Sequence, residues 1–240
     1  MSRGSEFING VKAELPILLG VAPFGMIYGV LALGAGLSAD KAQAMSSIVF
    51  AGSAQFIGAQ LFKSSTPGLV IILTTFVVNL RHALYSASVA PYLKHLSWKW
   101  KSLLAYLLTD EAYAVAIMHY TQAQDPPAFL SHRHWYFLGA GLALWLTWQI
   151  STAMGLLLGA QIPASWALDF TLALTFIALA APALNDRPSL GAALVAGIVA
   201  VTTVGWPYKL GLMAAALSGI VAGLLMEARV ASVSRQAQAL

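Results

Sequence analysis

Long apolar runs separated by short polar connections dominate this chain. Seven or eight such segments can be counted, at about 15–37, 43–62, 68–93, 102–122, 136–159, 166–184, 189–205 and 208–226. A helix needs about 20 apolar residues to cross a bilayer. In lipid the backbone must be helical wherever it faces hydrocarbon. The pattern therefore predicts an all-α, polytopic membrane protein.

Two of these segments contain residues that interrupt a regular helix. The first contains Pro16 and Pro23, and the short segment 43–62 contains Ser53 and Gln55 among glycines. This composition predicts broken or re-entrant helices, whose freed backbone groups line a cavity or pack against protein. The alternative is ordinary close packing between helices through small residues, as in GxxxG contacts.

Two sets of three segments weakly resemble each other in order and length. They are 15–37, 43–62 and 68–93, and 136–159, 166–184 and 189–205. Repeats of this kind are common in transporters. No linker, low-complexity tract or block of charges divides the chain. We therefore expect one membrane transport domain over residues 1–240. The similarity between the two sets of segments is either a weak repeat inside this domain or a coincidence.

Basic residues give an indication of orientation. One connection contains Lys94, Lys99 and Lys101, and the amino-terminal region carries Arg3 and Lys12. Both stretches favour the cytoplasmic side of the membrane. They share a side only if an even number of crossings separates them, which is a second indication that segment 43–62 does not fully cross.

Composition supports membrane insertion and excludes several classes of protein. Hydrophobic residues make up 59% of the chain and charged residues 9%, whereas a soluble domain has about 25% charged residues. The absence of cysteine excludes disulfides, zinc–thiolate sites and cysteine nucleophiles. The basic residues mostly flank apolar segments, which favours lipid headgroups over nucleic acid as their partners.

The sequence contains no motif typical of an enzyme, such as GxSxG, HExxH or a nucleotide-binding glycine-rich loop. Gly52–Ser53 with His82 imitates a serine intramembrane hydrolase, but that activity requires a contact between nucleophile and base. We expect a protein that is not an enzyme and has no metal or other cofactor. Active transport would then draw on an ion gradient.

Segment 68–93 carries a polar face at a depth where charge is costly. Asn79, Arg81 and His82 lie near its centre, and an arginine in hydrocarbon costs at least about 3 kcal/mol. Chains tolerate that cost where the charge faces a partner, a water-filled cavity or a ligand. The pattern predicts a site for a polar or anionic solute at Arg81, and the alternative is a polar face that only holds helices together.

Acidic residues in two other segments are candidate partners for this site. Asp110 and Glu111 lie near the middle of segment 102–122. Either residue is placed to pair with Arg81 or to carry a proton, and the alternative is a purely structural ion pair. Asp169 lies near the start of segment 166–184, where an acid in the first turn complements the helix dipole.

Several stretches, in order, resemble the AzlC family, the large subunit of bacterial branched-chain amino acid exporters. They are PILLGVAPFGMIYG, MSSIVFAGSAQF, VNLRHALYSASVAPYL, TDEAYAV and ALDFTLAL, within about Glu14 to Leu225. The resemblance implies export of leucine, isoleucine and valine, with methionine as a further candidate, across the inner membrane. It also implies a small AzlD-type membrane subunit as partner. The family motifs fall on Ser53, Gln55, Asn79, Arg81, His82, Asp110, Glu111 and Asp169.

We interpret these residues as parts of a carrier for a zwitterionic amino acid. The substrate carboxylate would meet Arg81, or backbone amides exposed where segment 43–62 unwinds. The residues assigned to substrate binding are Arg81, Asn79, Gln55, Ser53, Phe50 and Phe56. Those assigned to proton coupling or ion pairing are His82, Asp110, Glu111 and Asp169. The alternatives are a small-solute or proton channel, with Arg81 as its selectivity charge, and a scaffold that transports nothing. The two-subunit unit is also a candidate to form a higher oligomer.

Overall fold

The computed structural model describes residues 2–122, 132–160, 184–206 and 210–238, with side chains to residue 230. These ranges are almost wholly helical. The described helices are α1 (Arg3–Gly34), α2 (Ala39–Val49), α3 (Gly52–Lys63), α4 (Gly68–Leu93), α5 (Trp98–Tyr106), α6 (Asp110–Gln122), α7 (Arg133–Gly159), α8 (Arg187–Thr202) and α9 (Leu210–Gln238).

Within the described ranges, four helices are long and apolar enough to cross a membrane: α1, α4, α7 and the Leu210–Val230 part of α9. Helix α8 is apolar but shorter. The chain is therefore a helical membrane protein, as its apolar pattern predicted. The predicted segment 166–184, and with it Asp169 and part of the second set of similar segments, lies outside the described residues apart from its last position.

The chain divides into two compact units, which are described separately. The first consists of Met1–Ala59 and Asn79–Trp166, and the second of Gln60–Val78 and Ala167–Leu240. The candidate site residues that fall in described ranges all belong to the first unit.

Helices α1 and α7 pack tightly against each other through glycines. A Cβ atom on Gly10 would lie 2.0 Å from the carbonyl oxygen of Tyr136, and one on Gly29 would lie 2.5 Å from that of Thr152. The contact points advance together along both helices, so α1 and α7 run parallel. Small residues allow membrane helices to approach in this way, which gains van der Waals contact without a hydrophobic driving force.

The interruption predicted for the first segment is wrong. Helix α1 continues through both Pro16 and Pro23. The alternative, close packing between helices through small residues, describes α1 instead. Gly25 and Gly29 lie so close to α7 that no larger side chain would fit there. Prolines are tolerated in membrane helices because neighbouring groups compensate the lost backbone hydrogen bond.

The predicted interruption of segment 43–62 is confirmed, and it separates α2 from α3. Phe50 ends α2 in the left-handed conformation, at φ 40°, and Gly52 begins α3. Both helices lie beside Tyr28 of α1. The Tyr28 hydroxyl donates to the carbonyl oxygen of Ala42 over 3.1 Å, and its ring meets the ring of Phe56 edge-on at 5.9 Å. The two helices thus form a hairpin whose tip is Phe50–Ala51.

Segment 102–122 is interrupted as well, where the sequence pattern predicted a crossing. On one side of the break, the Trp100 ring of α5 lies 4.7 Å from the ring of His134 at the start of α7. On the other, the Tyr120 hydroxyl of α6 donates to the carbonyl oxygen of Arg133 over 3.2 Å. The beginning of α5 and the end of α6 therefore both lie at the start of α7. They form a second hairpin, whose tip is Leu107–Thr109.

The turn before α5 lies at the end of the first unit where α1 begins. The ring of His95 is 6.4 Å from that of His134, and His134 interacts electrostatically with Arg3. The two basic stretches thus share an end, as the positive-inside rule predicted. The parallel course of α1 and α7 agrees with this, because hairpins that return to their own side leave α4 as the crossing between them.

In the second unit, α8 and α9 form an antiparallel pair. A Cβ atom on Gly219 would lie 2.9 Å from that of Ala196. Asp186 caps α8 by accepting a hydrogen bond from the Ser189 amide over 2.7 Å, which lowers the pKa of Asp186. A cavity of about 210 Å³ in this unit has Thr203 among its lining residues, none of which is charged.

Candidate substrate site

Arg81 lies near the middle of α4 and contacts both hairpins. Its Nη2 donates to the Ser53 hydroxyl of α3 over 3.2 Å, and its Nη1 forms an ion pair with the Asp110 carboxylate of α6. The Arg81 and Asp110 side chains are 30% and 36% exposed. The sequence predicted that Asp110 or Glu111 would pair with Arg81, and the structure selects Asp110.

Both partners of Arg81 lie where a helix begins. Ser53 is in the first turn of α3, and Asp110 is the first residue of α6. The first amides of a helix have no acceptor inside that helix, and the helix dipole adds positive potential there. Arg81 therefore joins two helix N-termini at the hairpin tips, and this arrangement favours a carboxylate group.

A tyrosine provides a second connection between the tips. The Tyr106 hydroxyl donates to the carbonyl oxygen of Ser47 and accepts from Trp145 Nε1 at 2.6 Å. The Tyr106 ring also lies 6.0 Å from the ring of Phe50. On an unbroken helix Tyr106 would share a face with Asp110, but the break at Leu107–Thr109 places the two residues on different helices.

The other candidates on the first hairpin are buried within the protein. Phe50 and Phe56 are 4% and 2% exposed. The Gln55 carbonyl accepts from Trp148 Nε1 over 3.1 Å, while its buried amide nitrogen has no hydrogen-bond partner among the described residues. In this arrangement the Gln55 carbonyl is engaged by the indole, so it reaches an amino acid only if the hairpin moves.

The remaining polar residues of α4 lie close to Arg81 in sequence. The buried Asn79 Oδ1 has no hydrogen-bond partner within the described part of the chain. The His82 ring lies 6.1 Å from that of Tyr85, which stacks on Tyr113 at 4.5 Å. The described contact of the Ser53 hydroxyl is with Arg81, so its position supports anchoring of the guanidinium.

Sequence reasoning missed a buried acid on α1. Glu14 is fully buried, and neither of its carboxylate oxygens has a hydrogen-bond partner among the described residues. It interacts electrostatically with Glu111, in the first turn of α6. Glu14 directly precedes the apolar run 15–37 and was not among the predicted site residues. The four-residue spacing of Glu6, Gly10 and Glu14 places all three on one helix face, and this signal was available in the sequence.

A second polar cluster, between α2 and α7, was also missed. Gln43 Nε2 and the Ser47 hydroxyl each donate to Gln149 Oε1 over 2.8 Å. The hydroxyls of Ser46 and Thr152 lie 3.1 Å apart. These bonds satisfy polar groups between two packed helices, which is the helix-joining role that polar side chains have in lipid.

Comparison with known proteins identifies the family. The profile of the family described as AzlC protein matches residues 16–162, which is more than half of the chain and contains both hairpins and Arg81. The chain belongs to the AzlC family. Glu14 lies just before the matched range.

Three relatives show how far the similarity of this AzlC-family chain extends. A protein of Archaeoglobus fulgidus, described as an uncharacterized membrane protein, is 30% identical over 224 residues, which cover 91% of this chain and 94% of the relative. The inner membrane protein YgaZ of Escherichia coli is 27% identical, with 92% and 89% covered. The branched-chain amino acid transport protein AzlC of Bacillus subtilis is 27% identical, with 73% and 66% covered. No solved structure matches the chain. The family and its relatives make this chain a membrane transport protein.

Proposed function

We propose that this AzlC-family protein is the large subunit of a secondary transporter that exports branched-chain amino acids. In this proposal residues 1–240 form one transport domain in the bacterial inner membrane, export is coupled to protons, and a small AzlD-type subunit completes the complex. The name of the Bacillus subtilis relative supports the substrate class, and that of the Escherichia coli relative supports the location.

The observation that carries the proposal is the position of Arg81, between Ser53 and Asp110 at the two hairpin tips. An amino acid at neutral pH carries one carboxylate and one ammonium group. Its carboxylate can replace Asp110 on Arg81, and its ammonium can take the released Asp110 carboxylate. Both charges of the pair stay compensated, whereas a singly charged solute would leave one of them unpaired. Removing one partner of an ion pair in this way is unfavourable, although solvent reduces the cost for side chains that are about one-third exposed. The site therefore favours zwitterions.

The aliphatic side chain of the substrate needs an apolar surface near this pair. Phe50 at the first hairpin tip and Phe56 one helical turn beyond Gly52 supply such a surface when the tip moves. Burying a leucine-sized side chain contributes about 1.5–3 kcal/mol. We assign the preference for branched-chain substrates to these two aromatic residues.

Coupling in this scheme comes from protonation near Arg81. A proton on Asp110 removes the negative charge that holds the guanidinium, which changes the relative stability of the paired and open arrangements. His82 and Glu111 are further candidates because they neighbour Arg81 and Asp110 in sequence. Asp169 keeps its candidate role from the sequence.

The test is counterflow of radiolabelled leucine in proteoliposomes that contain this chain with its small subunit. Arg81→Ala should abolish saturable leucine exchange, while co-purification with the small subunit and membrane insertion persist. The matched control is Arg187→Ala, which removes an arginine at the start of α8 outside the first unit. Wild-type exchange in Arg81→Ala would reject the role of Arg81, and flux that does not saturate with leucine would favour the channel.

A further inference from the structure

Glu14 is the described acid whose burial is least compensated. It is 0% exposed, and both of its oxygens lack a hydrogen-bond partner within the described residues. The other buried acid of α1, Glu6, differs in having His119 Nε2 at 3.3 Å. Two acids on one face of one helix thus have different surroundings, and only one of them has a basic partner there.

Among the described residues, nothing offsets the loss of hydration that a carboxylate would suffer in this position. An uncompensated buried charge costs several kcal/mol, so such a group is accommodated as the neutral acid. The described residues contain no group of three or more acidic or histidine side chains able to hold a metal ion. A proton needs no further ligands, so a single buried carboxyl group can bind it.

We propose that Glu14 is a further site that takes up and releases a transported proton, one that coupled export requires together with the protonation near Arg81, an inference that rests on the proposed transport function. On release, the O–H bond of the carboxyl group breaks and the proton passes to a water molecule that reaches α1 when the second hairpin moves. On uptake the same bond forms again from the opposite side of the membrane. The water molecule forms a new O–H bond as it takes the proton and leaves as hydronium, and on uptake a hydronium ion gives up one O–H bond to the carboxylate.

The groups that face Glu14 come from three helices. Glu111 of α6 interacts with it electrostatically, and so does Tyr136 of α7. On α1 itself, Glu6 lies two turns earlier with its partner His119, which stacks on Tyr136 at 3.9 Å. The described neighbours of Glu14 thus supply a second acid and a phenol, while the nearby histidine is already beside Glu6.

Helix α2 also packs against α1, but it brings no further charge to Glu14. Its charged residues, Asp40 and Lys41, are exposed in its first turn, beyond the point where α2 meets Tyr28. Helix α6 therefore provides the main electrostatic influence on Glu14.

This geometry links proton release to the substrate site through one helix end. Glu111 follows Asp110, which pairs with Arg81. A negative charge on Glu14 repels Glu111 and so displaces the first turn of α6. That displacement draws Asp110 away from Arg81 and opens the pair to a zwitterion. The substrate site and the proton site are thereby coupled without being in contact.

The test uses the complete complex, with its small subunit, in proteoliposomes under an imposed pH gradient. Glu14→Gln is isosteric and permanently neutral, so leucine flux should lose its stimulation by the gradient. Glu14→Asp keeps an ionisable group and should keep the stimulation. The matched control is Glu227→Gln, which changes an exposed acid of α9 and should behave as the wild type does.

Stimulation of Glu14→Gln equal to that of the wild type would overturn the proposal, as would a wild-type flux that follows a sodium gradient and ignores pH. A second measurement holds even if the wild type carries no leucine, in which case the proposed function fails separately. Infrared difference spectra of the purified complex should contain a neutral-carboxyl band that Glu14→Gln removes and Glu227→Gln keeps. An unchanged band in Glu14→Gln would reject Glu14 as a proton carrier whatever the substrate is.

Discussion

The guanidinium of Arg81 is paired with Asp110, the residue at which α6 begins. This pair connects the helix that crosses beside the tips to the second hairpin, and the bond to Ser53 adds the first hairpin. Two chain reversals are thereby held by one side chain. Movement of Ser53 or Asp110 away from the guanidinium breaks a bond to Arg81, so the pair is the place where we expect a substrate to change the arrangement of the hairpins.

The strength of the Arg81–Asp110 pair can be measured with a double-mutant cycle. We expect Asp110→Asn and Arg81→Gln to be non-additive in thermal unfolding of the detergent-solubilised complex. The coupling should be about 1–2 kcal/mol, because both side chains are about one-third exposed and solvent screening reduces the value of a buried pair. Additive effects of the two substitutions would mean that the pair does not form in the folded protein.

The contact between α1 and α7 should not tolerate a methyl group. A Cβ atom on Gly155 would lie 2.1 Å from the carbonyl oxygen of Met26, so Gly155→Ala forces the two backbones apart. We expect a loss of about 1–3 kcal/mol in the free energy of unfolding. Gly20→Ala is the control, because nothing lies within 4 Å of its Cβ position. Equal unfolding temperatures for the two variants would contradict the close approach.

The Tyr106 hydroxyl should stabilise the contact between the two hairpin tips. Tyr106→Phe removes its bonds to Ser47 and Trp145 while keeping the ring, and should cost about 0.5–1.5 kcal/mol. Leucine exchange should fall at the same time, because the first hairpin loses a fixed contact. Tyr92→Phe is the control, since the described contact of Tyr92 is through its ring, against Tyr120. A Tyr106→Phe protein with wild-type stability would show that these bonds are replaced by water.

The hairpin geometry also predicts which loops share a side of the membrane. The chain has no cysteine, so single cysteines can be placed at Ser5, Ser97 and Ser38, which are all exposed. A membrane-impermeant thiol reagent should label Ser5→Cys and Ser97→Cys from one side and Ser38→Cys from the other. The unsubstituted protein should remain unlabelled. Labelling of Ser97→Cys from the side of Ser38→Cys would show that the first hairpin crosses the membrane.

Much of the secondary structure was readable from apolar pattern alone. Helix α4 has the bounds of its predicted segment, 68–93, and the interruption in 43–62 was expected from small and polar residues. The break in 102–122 was not expected, because Leu107 and Leu108 are apolar and Thr109 does not interrupt helices as proline or glycine does. The opposite error was made at Pro16 and Pro23, where a break was predicted and the helix is continuous. In a packed membrane helix, neighbouring groups compensate for the missing backbone donor.

What the sequence by itself determined is that this chain consists of membrane helices, with Arg81 near the centre of one apolar segment and acidic residues in others that could pair with it. Hydrocarbon imposes this, because every backbone group must bond within its own helix and every charge must find a partner. Only the tertiary structure decided that two segments turn back, that Asp110 holds Arg81, and that Glu14 has no such partner in the part of the chain that the structure describes. An apolar run of about 20 residues has the same composition whether it crosses or returns. A helix periodicity likewise gives the face on which Glu14 lies, while the identity of the groups opposite depends on how distant parts of the chain pack.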